Sequence, residues 1–356
     1  MNGVQPLSER ARPVESVSVP PFAVVPGRQV KEVLDGREPT VRDIVESTYH
    51  LHAAGGTVNP ASTFLRFPDR STARIIALPA SLAGDARVDG LKWISSFPGN
   101  IRSGIPRASA VLILNDPVTG YPVACMESSV ISAARTAASA AAAADWLSRG
   151  RPRATRVGFV GTGLIARYIH TYLRRTGWSF TDTGLHDRSQ ESAAGFRLYL
   201  EQSGVDGNIT VYTDPEQLVR TSDLLVFATV AATPHITASS WFDHHPVILH
   251  VSLRDLAPAV LLSATNIVDD PDHCLRAQTS PHLTEQLTGN RQFVRGTLAD
   301  VMAGRVSVPP DTTAIFSPFG LGVLDLAVGK YVYDRLAQTG ELAVVDDFFD
   351  ELGRYG

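Results

Sequence analysis

One short stretch constrains the fold more than any other part of the chain. Residues 156–166 read RVGFVGTGLIA, an apolar run followed at once by Gly-x-Gly-x-x-Ala and then by a segment with helical periodicity. Gly161 and Gly163 permit a tight turn, and the N-terminus of the following helix offers amide donors to a pyrophosphate. A purely structural turn is the alternative. We predict a dinucleotide site whose first residues are Gly161, Thr162, Gly163, Leu164 and Ile165.

The pattern around this stretch is a regular alternation of strands and helices. Predicted strands cover 156–160, 183–187, 209–212, 224–228, 247–251 and 266–268, and predicted helices cover 164–175, 190–203 and 216–220. Such alternation is typical of an α/β domain with a doubly wound parallel sheet. We therefore predict a Rossmann-type domain over residues 151–311.

The second predicted strand of this domain ends at an acidic residue. Asp187 lies 26 residues after Gly161, near the usual spacing of about 20 for a carboxylate that accepts hydrogen bonds from the ribose. A carboxylate there repels a 2′-phosphate, which favours NAD over NADP, although the neighbouring Arg188 keeps NADP open. An exposed acid without a ligand is the alternative. Residues that follow a later strand should line the nicotinamide: Ala228, Thr229 and Val230.

The segments outside residues 151–311 have a different pattern. Five apolar runs between residues 63 and 126 follow one another without helices, which predicts an antiparallel or mixed sheet. An alanine-rich run over about 129–149 predicts a long helix that links the two parts. A strand over 312–317 and a helix over 321–336 exceed the expected strand count, and we assign them to the first part. This predicts a discontinuous α+β domain of residues 1–134 and 312–356 that binds substrate and dimerises.

Three cations lie in apolar surroundings in this first part. The chain has three lysines against 29 arginines, and Lys92 lies within the apolar run GLKWI. A lysine on an edge strand that faces water is the ordinary explanation. Arg66 lies within FLRF, and Arg135 lies near the start of the alanine-rich helix. Because guanidinium groups bind carboxylates in a bidentate manner, three converging cations would indicate an acidic substrate.

These motifs together resemble those of the ornithine cyclodeaminase and mu-crystallin superfamily. The resemblance runs in order from about residue 60 to 335 and includes Lys92, PGN at 98–100, LND at 114–116, RTAA at 135–138 and the glycine motif at 161. Further stretches resemble the SbnB-type branch, whose members make 2,3-diaminopropionate for siderophores and peptide antibiotics. They are FLRFP at 64–68, KWISSFP at 92–98 and SLRDLAP at 252–258.

The resemblance implies a reaction and roles for particular residues. It implies NAD-dependent oxidative hydrolysis of N-(1-amino-1-carboxyl-2-ethyl)-glutamate to L-2,3-diaminopropionate and 2-oxoglutarate. Arg66, Lys92 and Arg135 would hold a substrate carboxylate, with Arg254 as a further anchor. Lys92 and Asp255 would be catalytic, Asp255 as the acid that takes the amine proton and positions water. The stretch SLRD departs from the Gly-x-Asp turn of cyclodeaminases. The alignment of Asp255 with the family's catalytic acid is therefore fixed only to within one position.

Two other functions remain open at this point. One is an ornithine or lysine cyclodeaminase or cyclic imine reductase, and the other is a non-catalytic protein that keeps the nucleotide site. A cyclodeaminase would need an acidic group for the distal amine, and only Arg74 is charged near residues 76–80. The resemblance also implies a homodimer.

Composition excludes several other classes of protein. A net charge of −4 provides no basic field for nucleic acid, and the most apolar long run is too short to span a bilayer. Cys125 and Cys274 lie far apart in the sequence, which supports neither a disulfide framework nor a cysteine-based zinc site. The histidines also lack metal-ligand spacing. We therefore expect a cytoplasmic enzyme with a small-molecule amino-acid substrate and no metal, nucleic-acid or membrane partner.

Overall fold

The chain forms two β-sheets with helices packed between and around them. The computed structural model describes residues 18–84, 86–205 and 207–350. The first seven strands in chain order are β1 (Phe22–Val25), β2 (Thr57–Val58), β3 (Thr63–Arg66), β4 (Arg74–Leu82), β5 (Val88–Ser96), β6 (Ala108–Asn115) and β7 (Pro122–Glu127). They share the first sheet with a strand near the C-terminus. Residues 1–17 and 351–356 of the predicted first domain lie outside the described residues.

The second sheet is parallel throughout. Its strands are β8 (Arg156–Val160), β9 (Asp182–His186), β10 (Asn208–Val211), β11 (Leu224–Phe227), β12 (Val247–His250), β13 (Thr265–Val268), β14 (Val294–Thr297) and β15 (Ala314–Ser317). The order β10-β9-β8-β11-β12-β15-β13-β14 places β8 inside the sheet with strands wound to both sides. This topology confirms the predicted Rossmann-type fold class.

Helices pack against both sheets. They are α1 (Gly27–Leu34), α2 (Glu38–Ala53), α3 (Ser129–Leu147), α4 (Leu164–Arg175), α5 (Gln190–Gln202), α6 (Pro215–Thr221), α7 (Pro258–Leu262), α8 (Pro271–Cys274), α9 (Ser280–Thr288), α10 (Leu298–Met302) and α11 (Gly322–Thr339). Short 3₁₀ helices cover Pro98–Ser103 and Ser239–Phe242. A last strand, β16 (Ala343–Val345), pairs with β1. No helix of the described residues is long and apolar enough to cross a membrane.

The long alanine-rich helix is observed as α3. It packs against α2 and α4, and so contacts both parts of the molecule. Its alanines from Ala137 to Ala144 are buried, since small side chains let neighbouring helices approach closely. The predicted helix is thus observed, and it ends two residues before the predicted end.

The predicted placement of the strand at 312–317 was wrong. Residues 314–317 form β15, which lies in the second sheet between β12 and β13. All four of its residues, AIFS, are buried, as expected for a central strand of a parallel sheet that is covered on both faces. The chain crosses to the first sheet only after β15, where α11 packs on β4 and β5.

The register of the first sheet determines which side chains share a face. Lys92 on β5 lies opposite Leu78 on β4 and Leu112 on β6. Because side chains alternate between the two faces of a strand, even-numbered residues of β4 and β5 point to the same face. Lys92 is buried there, so its side chain points inward and does not lie on a solvated edge.

The carboxylate of Asp145 links α2, α3 and the segment after α4, and its removal should destabilise the fold. Asp145 on α3 accepts hydrogen bonds from Arg42 on α2 at 2.6 Å and from the indole nitrogen of Trp178 after α4 at 2.7 Å. We expect Asp145→Ala to lower the free energy of unfolding by about 1–3 kcal/mol, because the buried Trp178 loses its acceptor. Chemical denaturation measures this change.

A matched control removes an exposed acid. Glu201 pairs with Arg197 one turn away at the surface, and Glu201→Ala should change the free energy of unfolding by less than about 0.5 kcal/mol. Equal effects of the two substitutions would show that Asp145 does not join the helices.

Candidate functional site

A buried group of three charged side chains lies where the first sheet meets α3 and α11. The ammonium group of Lys92 donates to Asp325 at 2.6 Å, and Nε of Arg135 donates to the other oxygen of the same carboxylate at 3.1 Å. Lys92 and Asp325 are almost completely buried. Two cations share one anion, so this ion triad retains one positive charge for a ligand.

Burial changes the acidity of the lysine in this triad. Desolvation and, to a smaller extent, the charge of Arg135 lower the pKa of Lys92 to about 8, against the opposing attraction of Asp325. Lys92 is therefore charged at neutral pH and loses its charge at a lower pH than an exposed lysine does. A charged ammonium next to a cavity is a suitable partner for a substrate carboxylate.

All four predicted substrate-binding residues meet at one cavity. Arg66, Lys92, Arg135 and Arg254 line a cavity of about 270 Å³, which also contacts Arg74, Phe319 and Gly320. These residues come from β3, β5, α3 and the loop after β12, so the chain must be fully folded before they converge. The cavity is the candidate substrate site.

The segment that follows β15 closes one side of this cavity. The carboxylate of Asp269, which is buried, accepts hydrogen bonds from the backbone amides of Phe319 at 3.0 Å and Gly320 at 2.6 Å. Gly320 has φ of +94°, and a Cβ atom there would lie 2.6 Å from the Arg135 guanidinium. The left-handed backbone at this position favours glycine, and a side chain there would displace the Arg135 guanidinium.

Asp255 lies at the centre of a second polar cluster. Its carboxylate accepts hydrogen bonds from the hydroxyls of Thr229 and Ser252, and His235 contacts it through Nε2 at 2.9 Å. The backbone amide of Asp255 donates a hydrogen bond to Nε2 of the buried His250 at 3.3 Å. Burial opposes ionisation, but the hydrogen bonds from His235 and Ser252 and the nearby ring of His250 hold the pKa of Asp255 well below its usual range.

Exposure separates the members of this second cluster. Asp255 is completely buried, whereas the side chain of His235 is 40% exposed. Leu253 and Arg254, immediately before Asp255, line the candidate substrate cavity. The Asp255 cluster and the cavity are therefore joined by adjacent residues of one loop.

The predicted dinucleotide residues lie at the carboxyl edge of the second sheet. Gly161 has φ of +91°, and a Cβ there would lie 2.7 Å from the carbonyl oxygen of Ala228, whereas a Cβ at Gly163 would meet no protein atom within 4 Å. The backbone thus turns tightly against β11 and leaves open space before α4. Leu164 is exposed and Ile165 is half-buried at the start of that helix.

Asp187 follows β9 and contacts the same turn. Its Oδ2 accepts hydrogen bonds from the amide and the hydroxyl of Thr162, both at 2.9 Å, and its Oδ1 accepts one from the amide of Ser189. Arg188 is exposed, and Thr229 and Val230 extend from the end of β11. The predicted cofactor residues thus lie at the carboxyl ends of β8, β9 and β11, where the strand order reverses.

Several residues of these clusters were not assigned from the sequence. No sequence pattern indicated that Asp325, His235 and His250 belong to these clusters, because a single sequence does not show which distant side chains meet. No sequence pattern around Asp269 indicated that its carboxylate holds the segment after β15. An acidic residue one turn into a helix that packs on the Lys92 strand was the available clue for Asp325.

The chain belongs to the ornithine cyclodeaminase/mu-crystallin family. The sequence profile of this family matches residues 29–340, which include strands β2 to β15, the ion triad and the Asp255 cluster. The predicted family resemblance is therefore confirmed.

Three similar proteins show the range of activities to which the chain is related. An alanine dehydrogenase of Archaeoglobus fulgidus is 29% identical over 298 residues, 82% of this chain and 88% of the relative. An N-((2S)-2-amino-2-carboxyethyl)-L-glutamate dehydrogenase of Staphylococcus aureus is 27% identical over 305 residues, 83% of this chain and 90% of the relative. The solved structure of an archaeal alanine dehydrogenase dimer with bound NAD has a TM-score of 0.80, 26% identity and coverage of 92% and 99%.

The acidity of Lys92 can be measured directly because the chain has only three lysines. In protein labelled with ¹³C at the lysine ε-carbon, we expect one resonance to titrate near pH 8, the value to which burial lowers the pKa of Lys92. In Asp325→Asn the midpoint should fall further, by about one to three pH units, because the attraction that favours the charged form is lost.

Single substitutions assign the resonances. Lys92→Met should remove the resonance that titrates near pH 8, and Lys31→Met should remove that of Lys31, whose hydrogen bond to Asp35 raises its pKa. A Lys92 resonance that titrates above pH 10 would contradict the described burial.

Proposed function

We propose that the protein is an NAD-dependent dehydrogenase that oxidises N-(1-amino-1-carboxyl-2-ethyl)-glutamate and releases L-2,3-diaminopropionate and 2-oxoglutarate. The observation that carries the proposal is the convergence of Arg66, Lys92, Arg135 and Arg254 on one cavity. This substrate has three carboxylates, and a cavity so rich in cations suits it. The named activity of the Staphylococcus aureus relative supports the same substrate class.

The residues at the edge of the second sheet fit the cofactor. The open space at Gly163 and the free amides at the start of α4 suit a pyrophosphate, and Asp187 suits the ribose. When bound, NAD supplies the acceptor for the hydride that leaves the glutamate α-carbon. The NAD bound to the archaeal alanine dehydrogenase supports this choice.

The ion triad has the positioning role in this proposal. Lys92 and Arg135 would bind the α-carboxylate next to the carbon that loses hydride, and Asp325 would hold both cations in place. A fixed carboxylate orients the adjacent C–H bond, so the binding energy of the carboxylate is used to position this bond for hydride transfer. Loss of hydride leaves a carbon–nitrogen double bond, water adds to its carbon, and the carbon–nitrogen bond then breaks.

Asp255 and His235 would handle the protons of this sequence. A proton acceptor works best when its pKa lies near the working pH, and that of Asp255 lies far lower because its hydrogen bonds favour the carboxylate. An ionised Asp255 can instead accept the hydrogen bond that orients the His235 ring. We therefore assign proton exchange with substrate or water to the accessible His235 and its orientation to Asp255.

A homodimer is part of the proposal. Leu65, Trp93 and Val111 are each about two-fifths exposed and lie on the face of the first sheet opposite to Lys92. Exposed apolar surface of this kind marks an interface, and a second copy of the chain is the partner we propose. The dimeric state of the archaeal alanine dehydrogenase supports it.

The reaction is tested with purified protein, NAD and synthetic N-(1-amino-1-carboxyl-2-ethyl)-glutamate. We expect NADH, 2-oxoglutarate and 2,3-diaminopropionate in equal amounts, identified by absorbance and mass spectrometry. Lys92→Met should lower kcat/KM about 100-fold or more, because a charged hydrogen bond to the substrate is lost, and should leave NAD affinity nearly unchanged. Lys31→Met, which removes an exposed lysine paired with Asp35, is the matched control.

Parallel reactions separate the alternatives. Proline or pipecolate formed from ornithine or lysine without net NADH would assign the protein to the cyclodeaminases. Reduction of a cyclic imine with NADH, without oxidation of the proposed substrate, would assign it to the imine reductases. An equal loss of NAD affinity and turnover in Lys92→Met would refute the role of Lys92.

Cofactor choice is tested at Asp187. We expect Asp187→Ala to weaken NAD binding about 10-fold, because hydrogen bonds to a charged acceptor are lost, and to reduce the preference for NAD over NADP. Calorimetric titration with both dinucleotides measures the two effects. Asp243→Ala removes an exposed acid away from the predicted cofactor residues and should change neither. An unchanged preference in Asp187→Ala would mean that Asp187 only supports the Thr162 turn.

A further inference from the structure

Three arginines at one end of the substrate cavity have no carboxylate partner within the described parts of the chain. Arg66, Arg74 and Arg254 line the same cavity as Lys92, yet none of them forms an ion pair with a described aspartate or glutamate. Arg254 donates to the backbone carbonyl oxygens of Ala277 and Gln278, both at 2.8 Å, and Arg66 lies over the ring of Phe64. These contacts leave their positive charges without compensation.

The strand register places these arginines away from the ion triad but on the same face. Arg66 on β3 lies opposite Arg74 on β4, and Arg74 precedes Leu78, the partner of Lys92, by four residues. Four residues of an extended strand span about 13 Å. The cavity therefore has two cationic ends, one at Lys92 and one at Arg74. Because these side chains are long, their charged groups can lie closer together than their backbone positions do.

The charges at the Arg74 end oppose one another. Burial, followed by the charges of Arg107, Arg254 and Arg66, lowers the pKa of the Arg74 guanidinium. Arg107 donates to the hydroxyl of Ser96 at 2.6 Å and does not belong to the cavity lining. Like charges held together in a partly buried place are costly unless an anion joins them. At the Lys92 end Asp325 is that anion, and at the Arg74 end a ligand must supply it.

We propose that Arg74, together with Arg66 and Arg254, forms a subsite for a second carboxylate of the substrate, the terminal carboxylate of its dicarboxylic amino-acid half. The proposal rests on the proposed function, since it places the α-carboxylate of the same half at Lys92 and Arg135. It makes Arg74 the residue that selects a dicarboxylate over a monocarboxylate of similar length. A guanidinium suits this task because its planar fork binds a carboxylate through two hydrogen bonds.

Binding of two probes to the NADH-loaded protein tests the subsite. 2-Oxoglutarate carries the second carboxylate, and 2-oxopentanoate has a methyl group in its place. We expect the wild-type protein to bind 2-oxoglutarate about 10- to 100-fold more tightly than 2-oxopentanoate, as measured by calorimetry. Arg74→Met should remove most of this preference by weakening 2-oxoglutarate alone, and Arg74→Lys should retain part of it because the charge remains without the fork.

Arg70→Met is the matched control for charge. Arg70 lies in the same β3–β4 connection, is half exposed and stacks on Phe67, and it does not belong to the cavity lining. Its loss should leave the preference intact. Unchanged NADH affinity and an unchanged unfolding midpoint establish that Arg74→Met is folded, and Arg254→Met gives a second variant of the same subsite should Arg74→Met be unstable.

The outcomes separate this inference from the proposed function. Equal weakening of both probes in Arg74→Met, or no preference or no binding of 2-oxoglutarate in the wild type, overturns the subsite even if the proposed substrate is oxidised. A preference that depends on Arg74 supports the subsite even if the proposed substrate yields no NADH, in which case the proposed function alone is refuted.

Discussion

The buried contact between Lys92, Asp325 and Arg135 is the constraint on which the rest of the site depends. Isolated charges are costly to bury, and a buried ion group persists only when its geometry and hydrogen bonds compensate for desolvation. Here the three side chains come from β5, α11 and α3, which are far apart in the sequence. The triad therefore forms only when α11 has crossed from the second sheet to the first, and it couples the substrate cavity to completion of the fold.

The crossing itself shapes the cavity. The chain leaves the second sheet at β15 and reaches α11 through a segment whose amides at Phe319 and Gly320 are held by Asp269. That segment lies against Arg135, and Asp325 follows in the first turns of α11. One connection thus contributes both a wall of the cavity and the anion that neutralises its cations, so the position of β15 matters for function as well as for topology.

The sequence predicted the parts of the molecule that are governed by local pattern. Apolar runs and glycines located six of the eight strands of the second sheet, β8 to β13, and the turn before α4, and the motifs around Lys92 and Arg135 identified the family. Partners across the fold were not predictable, because Asp325 and His235 acquire their roles only through contacts made by tertiary packing. The strand β15 was misplaced for a related reason: a short buried run has the same pattern in either sheet, and only its neighbours decide between them.

The charge balance of the cavity limits the substrates it can accept. The whole chain has a net charge of −4, but five cations line the cavity, and Asp325 alone among the described residues forms ion pairs with any of them. Such local concentration attracts anions and repels cations over the short distances inside a low-dielectric site. An amino acid with a distal ammonium group, such as ornithine or lysine, would place like charge against Arg74 or Arg254, whereas a substrate with several carboxylates would complete the ion pairs that the protein leaves open.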